Sequence, residues 1–248
     1  MISVHGLRRR LGSRQVLDGV DLEVQSGETV VVLGPSGTGK SVLLKHIIGL
    51  MRPDQGSIEI DGEQIVGRRE RELNVVRRRF GMLFQGAALF DSMTVGENVA
   101  LALREHTTMS EAEIGARVAE RLDWVGLEKA EAMKPASLSG GMRKRVGLAR
   151  AVVMDPQFIL YDEPTTGLDP IMADVIDQLI RGLQRRMGVT SVVVTHDLKS
   201  AFKIGDRLAM LLDGHIVFTG TPASFQSSTD PVVKQFREGT SEGPIQPV

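Results

Sequence analysis

Cysteine is absent from this chain of 248 residues, which excludes a disulfide framework and any cysteine-ligated metal site. No apolar run approaches the ~18 residues of a membrane span, and the N-terminal residues lack the apolar core of a signal peptide. The formal net charge is only −1 at pH 7, which argues against bulk binding to nucleic acid or anionic lipid. We therefore expect a soluble chain that would reach a membrane only through a partner that spans it.

A phosphate-binding loop occupies residues 34–41. It satisfies the pattern G-x-x-x-x-G-K-[ST] at every fixed position, with a β-branched apolar run before it and a helical pattern after it. Glycines let the backbone curl around phosphate oxygens, and the following helix N-terminus favours an anion. We predict that Lys40 binds the β- and γ-phosphates and that Ser41 binds Mg²⁺. The predicted nucleotide-binding set is Gly34, Pro35, Ser36, Gly37, Thr38, Gly39, Lys40 and Ser41.

Two adjacent carboxylates, Asp162 and Glu163, end a second predicted buried strand that starts at Phe158. An aspartate after four apolar residues is the second half of a P-loop site, so we expect Asp162 to hold the Mg²⁺ shell. The strand end would let Glu163 turn toward the γ-phosphate, where it would orient and deprotonate the attacking water. A capped strand end with solvated acids is the alternative.

Three further positions are weaker candidates. His196 follows a buried strand of the parallel type, and ligands gather at the carboxyl ends of such strands. Ser139 is a good N-cap before two glycines at a helix start, where an anion can approach closely. Leu11, beside Gly12, occupies the place where an aromatic often stacks on adenine, but an aliphatic side chain lacks the π-face. An ordinary strand leucine is an equal interpretation of Leu11.

Local patterns predict the remaining structure. Residues 2–24 should form short strands with turns at Gly6, Gly12 and Asp18-Gly19. Residues 94–150 should be helical, with a capping box at Ser110-Glu111-Ala112-Glu113. The apolar segment 87–90 is either core or an exposed docking surface. The tail after Pro231 is rich in glycine, proline and serine, so we expect it to be flexible.

Five motifs in one order give the chain its resemblance to the ATP-binding subunit of ABC transporters, over essentially its whole length. They are residues 34–41, Gln85, residues 138–141, Asp162-Glu163 and His196, with residues 167–170 resembling the family's D-loop. The resemblance implies that Gln85 senses Mg²⁺ and the attacking water and that His196 holds the γ-phosphate. It also implies a head-to-tail dimer around two ATP molecules. In that dimer Asp169 would cross the interface, and the γ-phosphate bound to the other copy would be contacted by Ser139, Gly140 and Gly141.

One departure from the family pattern makes the chain resemble a particular branch of the family. Met142 stands where the signature usually has glutamine, which looks like the ATPase of Mla-type phospholipid transporters. The segments 82–90, 103–107 and 230–236 look like that branch too. The resemblance implies an integral-membrane permease, a lipid-binding MCE protein and a STAS-domain regulatory protein as partners. It places the chain at the cytoplasmic face of the inner membrane.

The expected fold is α/β, with a RecA-like P-loop core formed by residues 1–85 and 155–225. A helical subdomain, residues 86–154, would be inserted, and residues 226–248 would form a tail. The expected activity is ATP hydrolysis that powers lipid transport through a separate permease. A small-solute or ion importer ATPase remains an alternative, as does a soluble ABC factor outside transport. A P-loop GTPase is disfavoured because no N-K-x-D or T-K-x-D stretch is present.

Overall fold

The computed structural model describes residues 1–246. They form two compact units, one of Met1–Leu73 together with the chain from Thr190 onward, the other of Asn74–Val189. The predicted boundaries at Gly86 and Met154 fall inside the second unit and stay a prediction. Among residues 1–246, no helix is both long and apolar enough to cross a membrane.

Strands and helices alternate along the chain. The strands are β1 Ile2–Leu11, β2 Arg14–Val24, β3 Thr29–Leu33, β4 Gln55–Ile60, β5 Glu63–Gln64, β6 Phe80–Leu83, β7 Phe158–Asp162, β8 Thr190–Thr195, β9 Arg207–Leu212 and β10 His215–Gly220. The α-helices are α1 Lys40–Ile47, α2 Glu70–Arg77, α3 Val95–His106, α4 Glu111–Trp124, α5 Gly140–Val152, α6 Pro170–Met187, α7 Leu198–Ile204, α8 Pro222–Ser227 and α9 Pro231–Glu238. The predicted α/β class is confirmed.

The first unit carries two groups of strands. One is an antiparallel sheet in the order β2-β1-β4-β5. In the other, β3 pairs in parallel with β8 on one side and with β9 on the other. Every residue of β3 and of β8 is buried. This explains their continuous β-branched sequences, because a central parallel strand is covered on both faces.

The turns predicted at Gly6 and at Asp18-Gly19 are wrong. β1 and β2 run as long antiparallel partners, and their register shifts between Val4 and Leu7 and again between Leu7 and Arg8. Gly6 has φ +56° and Gly19 has φ +82°, so these glycines form irregularities inside the strands. The turn at Gly12 is confirmed, since β1 ends at Leu11 and β2 begins at Arg14.

The second unit combines the parallel strand pair β6 and β7 with helices that include α3, α4, α5 and α6. The capping box predicted before α4 is confirmed. The Glu113 N–H donates to Ser110 Oγ at 3.3 Å, and the Ser110 N–H donates to the Glu113 carboxylate at 2.7 Å. These bonds satisfy backbone donors that the first turn of a helix leaves without partners.

The flexible tail predicted after Pro231 is wrong for the described residues. Helix α9 begins there, and its N-cap Asp230 accepts from the Val232 N–H at 2.9 Å. The Gln235 side chain, 7% exposed, then folds the following chain back on the helix. Its amide donates to the carbonyls of Thr240 at 3.2 Å and Ile245 at 3.0 Å, and it accepts from the Ile245 N–H at 2.7 Å.

A cavity of about 290 Å³ beside this segment is lined in part by Pro35, Phe236 and Ile245. Residues 247–248 of the predicted tail lie outside the described residues.

A glycine sets the distance between β6 and α5. A Cβ atom added at Gly81 would lie 2.1 Å from the Ala151 carbonyl oxygen, far closer than van der Waals contact allows. The obstacle is backbone, so it cannot move aside as the end of a flexible side chain would. The strand and the helix therefore pack this closely only because residue 81 has no side chain.

We expect Gly81→Ala to lower the free energy of unfolding by about 1–3 kcal/mol, the usual cost of overpacking a core. Urea denaturation followed by circular dichroism measures it. Gly115→Ala on α4 is the matched control because no atom lies within 4 Å of its Cβ position. That variant should gain about 0.5–1 kcal/mol from the helix propensity of alanine. Equal stability of the two variants would contradict this account of the packing.

Candidate active site

The phosphate-binding loop of the first unit depends on glycine for close approach. A Cβ atom at Gly34, where φ is +155°, would lie 2.3 Å from the Leu211 carbonyl oxygen. A Cβ atom at Gly39, where φ is +100°, would lie 2.8 Å from Val16 Cγ1. The loop is therefore held between the end of β9 and strand β2, and neither glycine can be replaced without displacing backbone or core side chains.

Lys40 opens helix α1 and reaches back into the loop. Its ammonium donates to the Gly34 carbonyl at 2.8 Å and to the Pro35 carbonyl at 2.9 Å, and the residue is only 5% exposed. The Thr38 hydroxyl also donates to the Pro35 carbonyl, at 2.9 Å. The charge of Lys40 thus lies within the curve of the loop, on the side where the pattern predicts phosphate.

The structure brings His196 to the same strand edge as this loop. β3 and β8 pair so that Leu33 lies opposite Thr195, and Gly34 and His196 are the next residues of the two strands. His196 is exposed. The predicted grouping of P-loop and histidine at the carboxyl edge of neighbouring parallel strands is therefore present in the first unit.

Leu11 lies at the end of β1 and is 39% exposed. Its role beside adenine stays a prediction. On β2, Val16 lies close to the P-loop at Gly39. Sequence reasoning missed Val16 because a valine within a β-strand carries no signal that separates a loop contact from ordinary core.

The second unit carries the two carboxylates. All of β7 is buried, and Asp162 and Glu163 are 7% and 8% exposed. The backbone of Glu163 has φ +48°, a left-handed conformation that is rare outside glycine, so the chain turns sharply after Asp162. The Thr166 hydroxyl donates to Glu163 Oε2 at 3.0 Å and fixes the direction of the carboxylate. The turn expected at this strand end is present.

The signature segment begins α5 as predicted. Ser139 caps the helix by accepting from the Met142 N–H at 3.2 Å. A Cβ atom at Gly141 would lie 2.4 Å from the terminal carbon of Met172 on α6, the flexible end of a side chain that can move aside. Asp169 caps α6 by accepting from the Met172 N–H at 3.1 Å. The signature segment and the D-loop are thus neighbours within the second unit.

Sequence reasoning missed two cations of α5, Lys144 and Arg150. The Lys144 ammonium donates to the backbone carbonyls of Gln85 and Glu163, the latter at 3.0 Å. The Arg150 guanidinium donates to the carbonyl of Ala87 at 2.6 Å and to that of Ala88 at 2.7 Å.

Burial lowers the pKa of Lys144 from 10.5 to about 8, and the nearby carboxylates of Asp162 and Glu163 oppose that shift. At pH 7 the group is still protonated in roughly ten molecules of eleven, so it is a charged donor under ordinary conditions. A buried ammonium is costly unless it is hydrogen-bonded. Here it is bonded to two main-chain carbonyls.

The second unit contains an apolar groove of about 640 Å³ whose lining includes Phe84, the residue before Gln85 in the chain. The groove is lined in part by Phe80, Met82, Phe84, Ala88, Phe90 and Leu101. Phe90 is 51% exposed, so the core interpretation of the apolar segment is wrong for this side chain. Leu89 is half-buried.

The oxygen donors predicted for Mg²⁺ are the Ser41 hydroxyl, the Asp162 carboxylate and the Gln85 amide. These hard oxygens suit Mg²⁺, which is usually held by one or two carboxylates, by water and by substrate phosphates. In residues 1–246, no group of three or more His, Cys, Asp or Glu could hold a metal ion by itself. Ser41 lies in the first unit, and Gln85 and Asp162 lie in the second.

Comparison with known proteins points the same way. The family described as ABC transporter matches residues 17–166. The chain is 47% identical over 244 residues to the "Probable ribonucleotide transport ATP-binding protein mkl" of Mycobacterium leprae, covering 98% of this chain and 70% of that protein. It is 42% identical over 245 residues to the "Intermembrane phospholipid transport system ATP-binding protein MlaF" of Haemophilus influenzae, covering 99% and 93%.

Solved structures agree with the fold. A dimeric ATP-binding cassette, MJ0796, in a post-hydrolysis state with ADP and phosphate, superposes with a TM-score of 0.83 at 35% identity. The match covers 90% of this chain and 99% of that one. The predicted ABC ATPase fold is confirmed. With its P-loop, paired carboxylates and signature segment, the chain belongs to the ABC transporter family as an ATP-binding, ATP-hydrolysing subunit related to MlaF and mkl.

Proposed function

We propose that this ATPase powers phospholipid transport through a separate integral-membrane permease, at the cytoplasmic face of the inner membrane. The observation that carries the proposal is the 42% identity to MlaF of Haemophilus influenzae, which extends over 93% of that protein. Met142 in the signature and the apolar groove of the second unit support it. A lipid-binding MCE protein and a STAS-domain regulator would complete the assembly.

A second candidate is transport of a small solute. The mkl proteins, whose name refers to ribonucleotide transport, are 47% identical to this chain. The match covers 70% of the Mycobacterium leprae protein, a smaller share than for MlaF. We therefore favour phospholipid.

In the proposed reaction, water attacks the γ-phosphate in line. The P-loop amides and Lys40 would bind the phosphates, and Ser41, Asp162 and Gln85 would hold Mg²⁺. When bound, Mg²⁺ neutralises charge on the β- and γ-phosphates. Glu163 orients the water and accepts its proton, and His196 donates to the γ-phosphate.

Two copies would close head to tail around two ATP molecules. Ser139, Gly140 and Gly141 of one copy would contact the γ-phosphate bound to the other, and Asp169 would cross the interface. The exposed N-terminus of α5 favours this role, since backbone N–H groups there attract anions. The dimeric state of the MJ0796 cassette also supports it.

A cytoplasmic helix of the permease would occupy the apolar groove. Phe84 of the groove precedes Gln85 in the chain, so binding of the permease helix in the groove would affect the active site through Gln85. The C-terminal segment, including Phe236 and Pro244, would contact the second copy or the STAS-domain protein.

We expect Lys40→Ala to abolish ATP hydrolysis, because the β- and γ-phosphates lose their main side-chain counter-charge. Phosphate release by the assembled transporter measures it. Lys45→Ala is the matched control, since Lys45 lies exposed on the same helix. Wild-type turnover by the Lys40 variant would refute the assignment of the loop.

We expect Glu163→Gln to trap a closed dimer with ATP. Glutamine keeps the size of the side chain but cannot accept the proton from water, while Asp162 remains to support nucleotide binding. Light scattering at high protein concentration, or with the permease attached, should show a dimer with excess ATP but not with ADP.

Adding Ser139→Arg should abolish that dimer, because it puts bulk where the phosphate approaches the signature segment. A double variant that still closes on ATP would mean that the signature segment is not the site for the other copy's nucleotide.

We expect Phe90→Glu to release the permease, because a buried charge would be left without a partner in the groove. Purifying the tagged chain from its own membranes, followed by identification of bound proteins and lipids, measures this. Leu50→Glu is the control, since Leu50 is 53% exposed and lies in the first unit. A folded Phe90 variant that still binds the permease would contradict the docking role of the groove.

The same purification separates the two candidate functions. Phospholipid bound to the wild-type assembly supports the proposal. Nucleotide or another small solute as the transported ligand, without phospholipid, would replace it with the second candidate.

A further inference from the structure

Lys144 connects two segments that are distant in sequence. Its ammonium donates to the backbone carbonyl of Gln85, 59 residues away, and to that of Glu163, 19 residues away. The residue lies on α5 and is 5% exposed. A single side chain therefore links the segment that begins after Phe84 of the groove to the segment that carries the proposed catalytic base.

The backbone of Glu163 needs such a link. Its left-handed conformation, φ +48°, is unfavourable for a residue with a side chain and persists only where the surroundings hold it. Lys144 holds its carbonyl and the Thr166 hydroxyl holds its carboxylate. Each bond includes one charged group, the ammonium in the first and the carboxylate in the second, so both are stronger than a neutral hydrogen bond.

The other end of the link is also conformationally restricted. Gln85 is followed by Ala87 at φ +60° and Ala88 at φ +48°, both in the left-handed region. Arg150, on the same helix as Lys144, binds both of those carbonyls. Helix α5 thus fixes the main chain on both sides of Gly86. Of its two cations, Lys144 also binds the carbonyl of Glu163.

A lysine in this buried position carries a desolvation cost that a methionine of similar length would avoid. The cost is reflected in its lowered pKa. An apolar residue could fill the space but could not hold either carbonyl. The geometry therefore favours a role that depends on the ammonium itself.

We propose that Lys144 is a positioning residue for ATP hydrolysis: by binding the carbonyls of Gln85 and Glu163, it holds the Glu163 carboxylate in the orientation that the attacking water requires. The proposal rests on the proposed role of Glu163 as the base. Lys144 itself touches neither nucleotide nor water in this role, so its removal should change turnover and leave nucleotide affinity alone.

The test compares Lys144→Met and Lys144→Arg in the assembled transporter. We expect the methionine variant to lower kcat about tenfold or more, because a catalytic group that is displaced by about 1 Å can lose up to about a hundredfold in rate. Its KM and its Kd for a fluorescent ATP analogue should stay within about twofold of wild type. Arginine keeps the charge and the donors, so it should restore most of kcat. Rates are normalised to nucleotide-binding sites, which removes any effect of misfolded protein.

Lys134→Met is the matched control. The Lys134 ammonium also donates to a backbone carbonyl, that of Ser92 at 2.8 Å, but it is exposed and binds neither Gln85 nor Glu163. Its kcat should match wild type. A Lys144→Met variant with wild-type kcat overturns the proposal, and so does a loss of kcat that arginine does not restore.

Two further measurements keep the result interpretable. If Lys144→Met fails to fold, Lys144→Gln replaces it, because glutamine is polar but too short to reach both carbonyls. Wild-type kcat in that variant overturns the proposal. Glu163→Gln is measured in parallel. If it is inactive while the Lys144 variants are fully active, this inference fails and the proposed function stands. If Glu163→Gln is itself fully active, the assignment of the base fails and the inference fails with it.

Discussion

A buried lysine that binds backbone carbonyls organises each half of this molecule. In the first unit, Lys40 binds the carbonyls of the loop that surrounds it, Gly34 and Pro35. In the second, Lys144 binds those of Gln85 and Glu163. An ammonium has three donors and no acceptor, so it can fix several carbonyls at once. The chemistry of each half depends on main-chain positions that a single side chain sets.

The main chain can pack closely at several of these positions because the residue there is glycine. Gly34 lets the P-loop lie close to β9, and Gly39 lets it lie close to β2. Glu163, like Ala87 and Ala88, instead keeps a side chain in a left-handed conformation. Backbone strain of this kind is concentrated at functional sites, where neighbouring hydrogen bonds maintain it.

Motifs that lie on a short stretch of chain were predictable from sequence. The P-loop, the paired carboxylates and the N-cap Ser139 depend on adjacent residues and on the strand or helix beside them. Gly6 and Gly19 were misread as turns because a strand irregularity and a turn require the same positive φ. Helix α9 was missed because burial of Val233, a tertiary effect, outweighs a polar composition. Lys144 was missed because its two carbonyl partners are 59 and 19 residues away.

The folded-back C-terminal segment has a practical consequence for biochemistry. Ile245 and Pro35 of the P-loop line one cavity, so the end of the described chain lies beside the loop. An affinity tag attached close to Ile245 would therefore add bulk beside Pro35 of the P-loop. Rates measured on C-terminally tagged protein would then describe the tag as well as the enzyme, and removing the tag before kinetic work avoids this.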